Sequence, residues 1–280
     1  MTVLVSGATS QIGRFLLPRL VAAQVPVLAL SRHAQPAQPG VDWQVGDMRA
    51  LPAPPQPLQA IVSFAPLDAW GDWLARQHTA PAAKIVVTSS MSVLTKQGSA
   101  QPDQQALVAL LQRGERNLAE QAERLGMQWT VLRPTLVYGA GVDRSLTPIV
   151  ARARRTRLFP IPMAHGLRQP VHADDIALAV MAVLRSDAGS GQTLQIGGGE
   201  RLDYQQMFQR VRSSMGSVTL PLYLPQAALR LLAPAVPRAR GPVSRLQQDL
   251  VADNTELTRR LGVVPRAFQP TPDTWRPNRP

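Results

Sequence analysis

Along the first ninety residues the hydrophobic pattern switches between short unbroken apolar runs and helical spacing. Val3 to Ser6 is a short apolar run closed by a glycine turn. In Ile12 to Ala23, the residues Ile12, Leu16, Leu20 and Ala23 share one helical face. Pro18 lies inside that helix and is expected to weaken or kink it. Val25 to Leu30, Trp43 to Val45, Ala60 to Phe64 and Lys84 to Thr88 form four further runs. They are continuous rather than alternating, which predicts strands covered on both faces, as in a parallel sheet. Residues 51–57, LPAPPQP, hold four prolines and predict an extended connection. Farther on, Gln104 to Leu125 reads as a long helix and Trp129 to Leu132 as a sixth strand. Gln192 to Ile196 reads as another strand and Tyr204 to Ser213 as a helix. Strands separated by helical segments predict right-handed βαβ units, hence an α/β fold with a doubly wound parallel sheet.

The segment VLVSGATSQIGRFLLPRL, residues 3–20, sets a glycine turn between the first strand and the first helix. Such a turn needs a residue free to adopt φ > 0, and the helix N-terminus must admit a pyrophosphate to its backbone N–H groups. Gly7, Thr9, Ser10, Gln11, Ile12 and Gly13 are therefore candidate cofactor contacts. Ser10 replaces the middle glycine of the usual pattern; it is small and can donate to phosphate. The domain is thus of Rossmann type. At the end of the second strand stand Ser31, Arg32 and His33, where an NAD site carries a carboxylate for the ribose hydroxyls. A guanidinium instead pairs with a 2′-phosphate, so NADP(H) is favoured over NAD(H).

The expected division is a dinucleotide-binding domain over 1–160, with 170–197 returning to it. A smaller, irregular substrate-side region takes 161–169 and 198–280. Pro221 to Arg240 is proline-punctuated, apolar and basic, and reads as a lid or an interface. Pro270 to Pro280, with four prolines, reads as extended or disordered. No run of eighteen apolar residues occurs, so no membrane span is expected. There are no cysteines, which removes disulfides and thiolate chemistry and fits a cytoplasmic location. The net charge of +12 comes from 28 arginines and two lysines, Lys84 and Lys96, against 18 acids. The densest cluster, Arg152, Arg154, Arg155 and Arg157, has no interleaved aromatics. It reads first as a solvated helix face, next as contacts to a phosphate-bearing substrate, and no nucleic-acid partner is expected. The histidines His33, His78, His165 and His172 lack ligand spacing, so no metal is expected.

Taken in order, GATSQIG at 7–13, GDM at 46–48, SFAP at 63–66, VVTSSMSV at 86–93, LRPTLVYG at 132–139 and PVHADDIA at 170–177 resemble the extended short-chain dehydrogenase/reductase family, the NAD(P)-dependent epimerase/dehydratase group. LQIGGGERLDY at 194–204 and RRLGVVPRAF at 259–268 resemble it too. The resemblance implies that Asp47, with Met48 beside it, holds the adenine amino group, and that Phe64, Ala65 and Pro66 lie against the cofactor. It implies that Ser90 is the catalytic serine, with Ser89 next to it on the cofactor. Arg133, Pro134 and Thr135 match the loop bordering the nicotinamide, and His172 and Asp175 match a buried pair with a structural role.

The family's chemistry rests on a tyrosine and a lysine four residues apart on one helix. Aligning the family's downstream glutamate on Glu120 puts Gln112 at the tyrosine and Arg116 at the lysine position. Gln112 cannot exchange a proton near neutral pH; Arg116 keeps the charge and can still bind cofactor ribose. Tyr138, Arg144, His165 and Arg168, with Ser90, are the candidate substrate contacts. Two readings follow. One is an atypical epimerase, dehydratase or reductase acting on a small nucleotide-sugar or carbonyl substrate. The other is a non-catalytic dinucleotide-binding sensor, assembly factor or scaffold. A monomer or homodimer is expected.

Overall fold

The computed structural model describes residues 2–54, 56–225, 227 and 246–277. The chain begins β1 (Val3–Ser6), α1 (Gly13–Ala22), β2 (Val27–Ser31), β3 (Val41–Val45), β4 (Leu58–Ser63), α2 (Asp68–Ala75) and β5 (Ala82–Thr88). It continues α3 (Ser92–Thr95), α4 (Pro102–Arg124), β6 (Gln128–Pro134), β7 (Val137–Tyr138), α5 (Thr147–Thr156), β8 (Leu158–Pro162), β9 (Leu167–Arg168) and β10 (Val171–His172). Then come α6 (Ala173–Arg185), β11 (Gln192–Ile196), β12 (Leu202–Asp203), α7 (Tyr204–Ser213), β13 (Leu220–Leu224) and α8 (Thr255–Leu261).

Seven strands form one parallel sheet in the order β11-β6-β5-β4-β1-β2-β3. The order reverses between β1 and β4, and in such sheets ligands bind in the crevice outside the carboxyl ends at that point. One face packs on α1 and α6 and the other on α2 and α4, each with its own apolar cluster. The unbroken runs of β1, β4 and β5 are buried because both faces are covered. β3 is the edge, and there Asp42 and Gln44 turn to water. Pro18 leaves α1 continuous. It sits on the exposed side, where water can take the Arg14 carbonyl left without a donor.

α6 escaped the periodicity argument because it is apolar nearly all round, with nine buried residues in ADDIALAVMAVLR. Its N-terminus is tied down by charge. Asp174 accepts from Arg19 of α1 at 2.7 and 2.8 Å and from Arg266 at 2.9 Å, and Asp175 accepts from Arg266 at 2.8 Å.

The smaller region has a third apolar cluster, and its membership moves the expected boundary. Tyr138, Leu146, Val150, Phe159 and Ile161 share that cluster with Leu202, Phe208, Val211 and Phe268. Most of 137–160 therefore packs with the smaller region and not with the sheet. A second correction concerns Pro270 to Pro280. Residues 272–275 form a 3-10 turn with reciprocal Thr271 and Thr274 capping, and Trp275 is buried with Nε1 donating to Ser214 Oγ at 2.8 Å. Of the Pro221 to Arg240 segment, 221–224 form β13 paired with β8; 226 and 228–240 lie outside the described residues.

Candidate functional site

The turn after β1 faces the turn after β4 across the switch point. Gly7 has φ +72°, and a Cβ there would meet the Phe64 backbone at 3.0 Å and Ala65 N at 3.2 Å. Gly13 packs tighter still: a Cβ would overlap the Ala8 carbonyl. Both positions require glycine, one for its dihedral and one for close approach. Ser10 is a working part of the turn. Its N–H donates to Gly7 O at 2.9 Å, and its Oγ accepts from Gly13 N at 3.2 Å, capping α1. Arg14 Nε donates to Thr9 O at 3.3 Å and stiffens the loop. Two buried polar atoms beside the crevice, Gln11 Oε1 and Ser89 Oγ, have no partner. Such atoms are costly unless something pairs with them, so the cradle fits a polar ligand such as a dinucleotide.

At the end of β2, Ser31 Oγ accepts from His33 N and from Gln35 Nε2, which fixes the bend. Arg32 is exposed there and has no side-chain partner among the described residues. Asp47 is exposed; its Oδ1 accepts from Arg49 N at 2.8 Å and caps a short 3-10 turn. Met48 is buried in the apolar cluster under α2, so its side chain serves the core and not the crevice, against the expectation for it. Phe64 and Ala65 are half-buried and Pro66 is exposed at the crevice rim.

β5 and β6 run on side by side past their ends: Ser89 N donates to Leu132 O at 2.7 Å and Met91 N to Pro134 O at 3.0 Å. Ser90, half-buried, uses Oγ to accept from Ser92 N at 3.1 Å and so starts α3. Thr135 is buried and bonds the Gln169 carbonyl through Oγ1, which leaves it structural. On α4, Gln112 is half-buried and Arg116 exposed, and neither has a side-chain hydrogen bond within the described residues. Between them, buried Glu115 forms a two-pronged ion pair with Arg133, locking α4 to β6. Sequence reasoning missed this pair because its halves lie on different elements.

A cavity of about 370 Å³ opens off the ends of β5 and β6. Ser92, Thr95 and Lys96 line it from α3, Arg144 from the loop before α5, and Arg168 and Tyr204 from the substrate side. Asp143 holds the Arg144 loop by accepting from Ser145 N at 2.9 Å and Leu146 N at 2.5 Å. The Arg168 guanidinium lies 4.5 Å over the Tyr204 ring and donates to Gln248 O at 2.6 Å. Lys96 and Tyr204 were not singled out from the sequence; the available signal was that the chain has only two lysines.

Other candidates stand apart from the cavity lining. Tyr138 is 1% exposed and packs edge-on against His172 and Phe268, so its expected substrate contact gives way to a core role. Burial pushes its hydroxyl pKa far up, which rules it out as an acid or base near neutrality. His165 sits exposed on the 163–166 loop. His172 Nδ1 accepts from Asp174 N at 3.1 Å and caps α6, while burial pushes its pKa down. Arg152, Arg155 and Arg157 are exposed on and just after α5, and Arg154 donates to Met215 O at 3.1 Å. Among the described residues no group of acids and histidines is arranged to hold a metal.

Residues 112–197, from α4 through β11, match the model of the NAD dependent epimerase/dehydratase family. No curated protein matches the chain by sequence. Among solved structures, the chain is similar to UDP-glucuronic acid 4-epimerase from Bacillus cereus, solved with NAD, at TM-score 0.77 and 14% identity, covering 98% of this chain and 97% of that one. UDP-galactose 4-epimerase gives 0.75 and 16% over 98% and 97%. MoeE5 with UDP-glucuronic acid and NAD gives 0.74 and 20% over 95% and 94%. At these identities the likeness establishes the shared fold alone, an α/β Rossmann-like architecture with a seven-stranded parallel sheet. The matched segment starts at Gln112, the residue expected from the sequence to stand at the tyrosine position.

Proposed function

We propose that the chain binds a nicotinamide dinucleotide in the crevice between β1 and β4, and a small phosphate-bearing substrate of nucleotide-sugar type in the adjoining cavity. The observation that carries this is the pairing of a glycine cradle having unpartnered buried polar atoms with a cavity lined by Lys96, Arg144 and Arg168. The solved relatives named above include complexes with NAD and a UDP-sugar, which supports the same substrate class. For this chain NADP(H) is the preferred form, because Arg32 offers a guanidinium where a 2′-phosphate would sit. The reading places it in the cytoplasm.

Gly7, Thr9, Ser10, Gln11, Ile12 and Gly13 would hold the pyrophosphate, with Arg32 and Ser31 at the ribose. Asp47 would take the adenine amino group, and Phe64, Ala65, Pro66, Ser89, Arg116 and Pro134 would flank the cofactor. The bound dinucleotide supplies a hydride donor or acceptor at C4 of its nicotinamide. Ser90 presents a hydroxyl that can orient a substrate oxygen, and Arg144 and Arg168 counter substrate phosphate.

A second reading, a non-catalytic dinucleotide-binding sensor, assembly factor or scaffold, is favoured by one observation. Gln112 and Arg116 stand where the proton-transfer pair is expected, and neither has a side-chain hydrogen bond within the described residues. Titration of the protein with NADPH and NADH, followed by nucleotide fluorescence, tests the primary reading. NADPH binding about tenfold tighter or more supports it, given that 1.4 kcal/mol of phosphate recognition is one decade. Absence of binding by either nucleotide would overturn both readings. Dinucleotide binding without turnover across nucleotide sugars and carbonyls would select the second.

A further inference from the structure

The side of the β8/β13 ribbon turned away from the core is apolar, and no described residue covers it. The strands pair in parallel, Leu158 opposite Leu220 and Pro160 opposite Leu222. Successive side chains point to opposite sides of a strand. Phe159 and Ile161 enter the core, which leaves Leu158, Leu220 and Leu222 on the other side, 48%, 66% and 47% exposed. Val218, just before β13, is 86% exposed. Single exposed leucines are ordinary on a protein surface; a contiguous apolar ribbon is not.

Cations flank this ribbon. Arg157, in the left-handed region at φ 60°, accepts the Leu220 N–H through its carbonyl at 2.8 Å, so its backbone lies against the strand. Arg152 and Arg155 are exposed on α5 just ahead of it. None of Arg152, Arg155 and Arg157 has a carboxylate partner within the described residues. No Asp or Glu occurs between Asp143 and Asp174, nor between Asp203 and Asp249. The elements that build this surface, α5, β8, α7 and β13, all fall within those two acid-free stretches.

We propose that this face docks peripherally on an anionic phospholipid surface. Aliphatic side chains enter the boundary between headgroups and acyl chains, while neighbouring arginines neutralise the anionic headgroups. A nucleic acid fits less well, because the exposed side chains on this side of the ribbon are aliphatic, while Tyr223, 48% exposed, alternates to the opposite side. The inference is independent of the dinucleotide reading and uses none of its residues.

The test is sedimentation of the full chain with vesicles of phosphatidylcholine alone, and with about one third phosphatidylglycerol, at ~0.1 M and ~0.5 M salt. Binding at least about tenfold tighter to the anionic vesicles, weakened by salt, is expected. Leu220→Glu with Leu222→Glu should lower that binding about tenfold or more, and Arg152→Gln with Arg155→Gln several-fold. These side chains are exposed, so an unchanged melting temperature verifies the fold; the arginine variant remains decisive if the leucine variant melts lower. Absent binding, equal binding to both vesicles, or binding indifferent to both variants would overturn the proposal. So would retention of a single-stranded oligonucleotide through this face with no vesicle binding.

Discussion

Arg32 is where a single side chain decides the most. It is exposed at the end of β2 and free to pair with a 2′-phosphate. Arg32→Glu puts a carboxylate against that phosphate, and NADPH affinity should fall at least about tenfold in a fluorescence titration. Unchanged affinity would remove the basis for preferring NADP(H). Gln112 makes the opposite prediction. An amide cannot carry a proton in the working pH range, so Gln112→Ala should leave any turnover within about three-fold, less than 1 kcal/mol in barrier. A collapse in kcat would show that this helix position does chemistry of another kind. Both expectations were drawn from position within a motif, and these two measurements test them. Tyr138 and Met48 were misread by the same rule: their neighbours in the motif lie at the site, but their own side chains point into apolar clusters.

Among the elements, α6 shows how charge and burial combine. Burial pushes the Asp174 carboxyl up, but the guanidiniums of Arg19 and Arg266 outweigh it and hold it below its ordinary 3.8. His172, at the same helix end, is held below its ordinary 6.5 by burial and by Arg266. Both groups have folded pKa values below the unfolded ones, so the unfolded chain takes up protons first on acidification. The stability these two groups contribute is therefore full above about pH 6.5 and is lost as pH drops, first through His172 and then, below about 4, through Asp174. Thermal melts between pH 8 and 3 should show this two-stage decline. His172→Asn, which keeps an acceptor for the Asp174 N–H, should flatten the first stage; a wild-type melting temperature that rises below pH 6.5 would contradict the assignment. The α4–β6 link through Glu115 and Arg133 belongs to the same class of long-range pair and could not have been read from either element alone.

At the scale of the whole molecule, the C-terminal turn closes the substrate side. Trp275 is 3% exposed and is hydrogen-bonded to Ser214, and Gly141 packs so closely on the Arg276 carbonyl that no Cβ fits. Trp275→Ala removes a buried aromatic, a change that costs about 3–5 kcal/mol. In a chain of this size that is a fall of roughly 6 °C or more in Tm, readable by calorimetry. A Tm within a degree of wild type would mean that the turn does not contribute to the core.

Local rules in the sequence were enough for the parallel sheet and the glycine turn, and they led to the expectation that the tyrosine–lysine pair is missing. Each depends on local rules: unbroken β-branched runs, a turn needing φ > 0, and fixed spacing within one helix. Folding in three dimensions was needed to fix where the smaller region begins, that Trp275 packs back onto Ser214, and that Lys96, Arg144 and Arg168 meet around one cavity. Those outcomes join residues dozens of positions apart, and local periodicity holds no information about which distant surface a segment will cover.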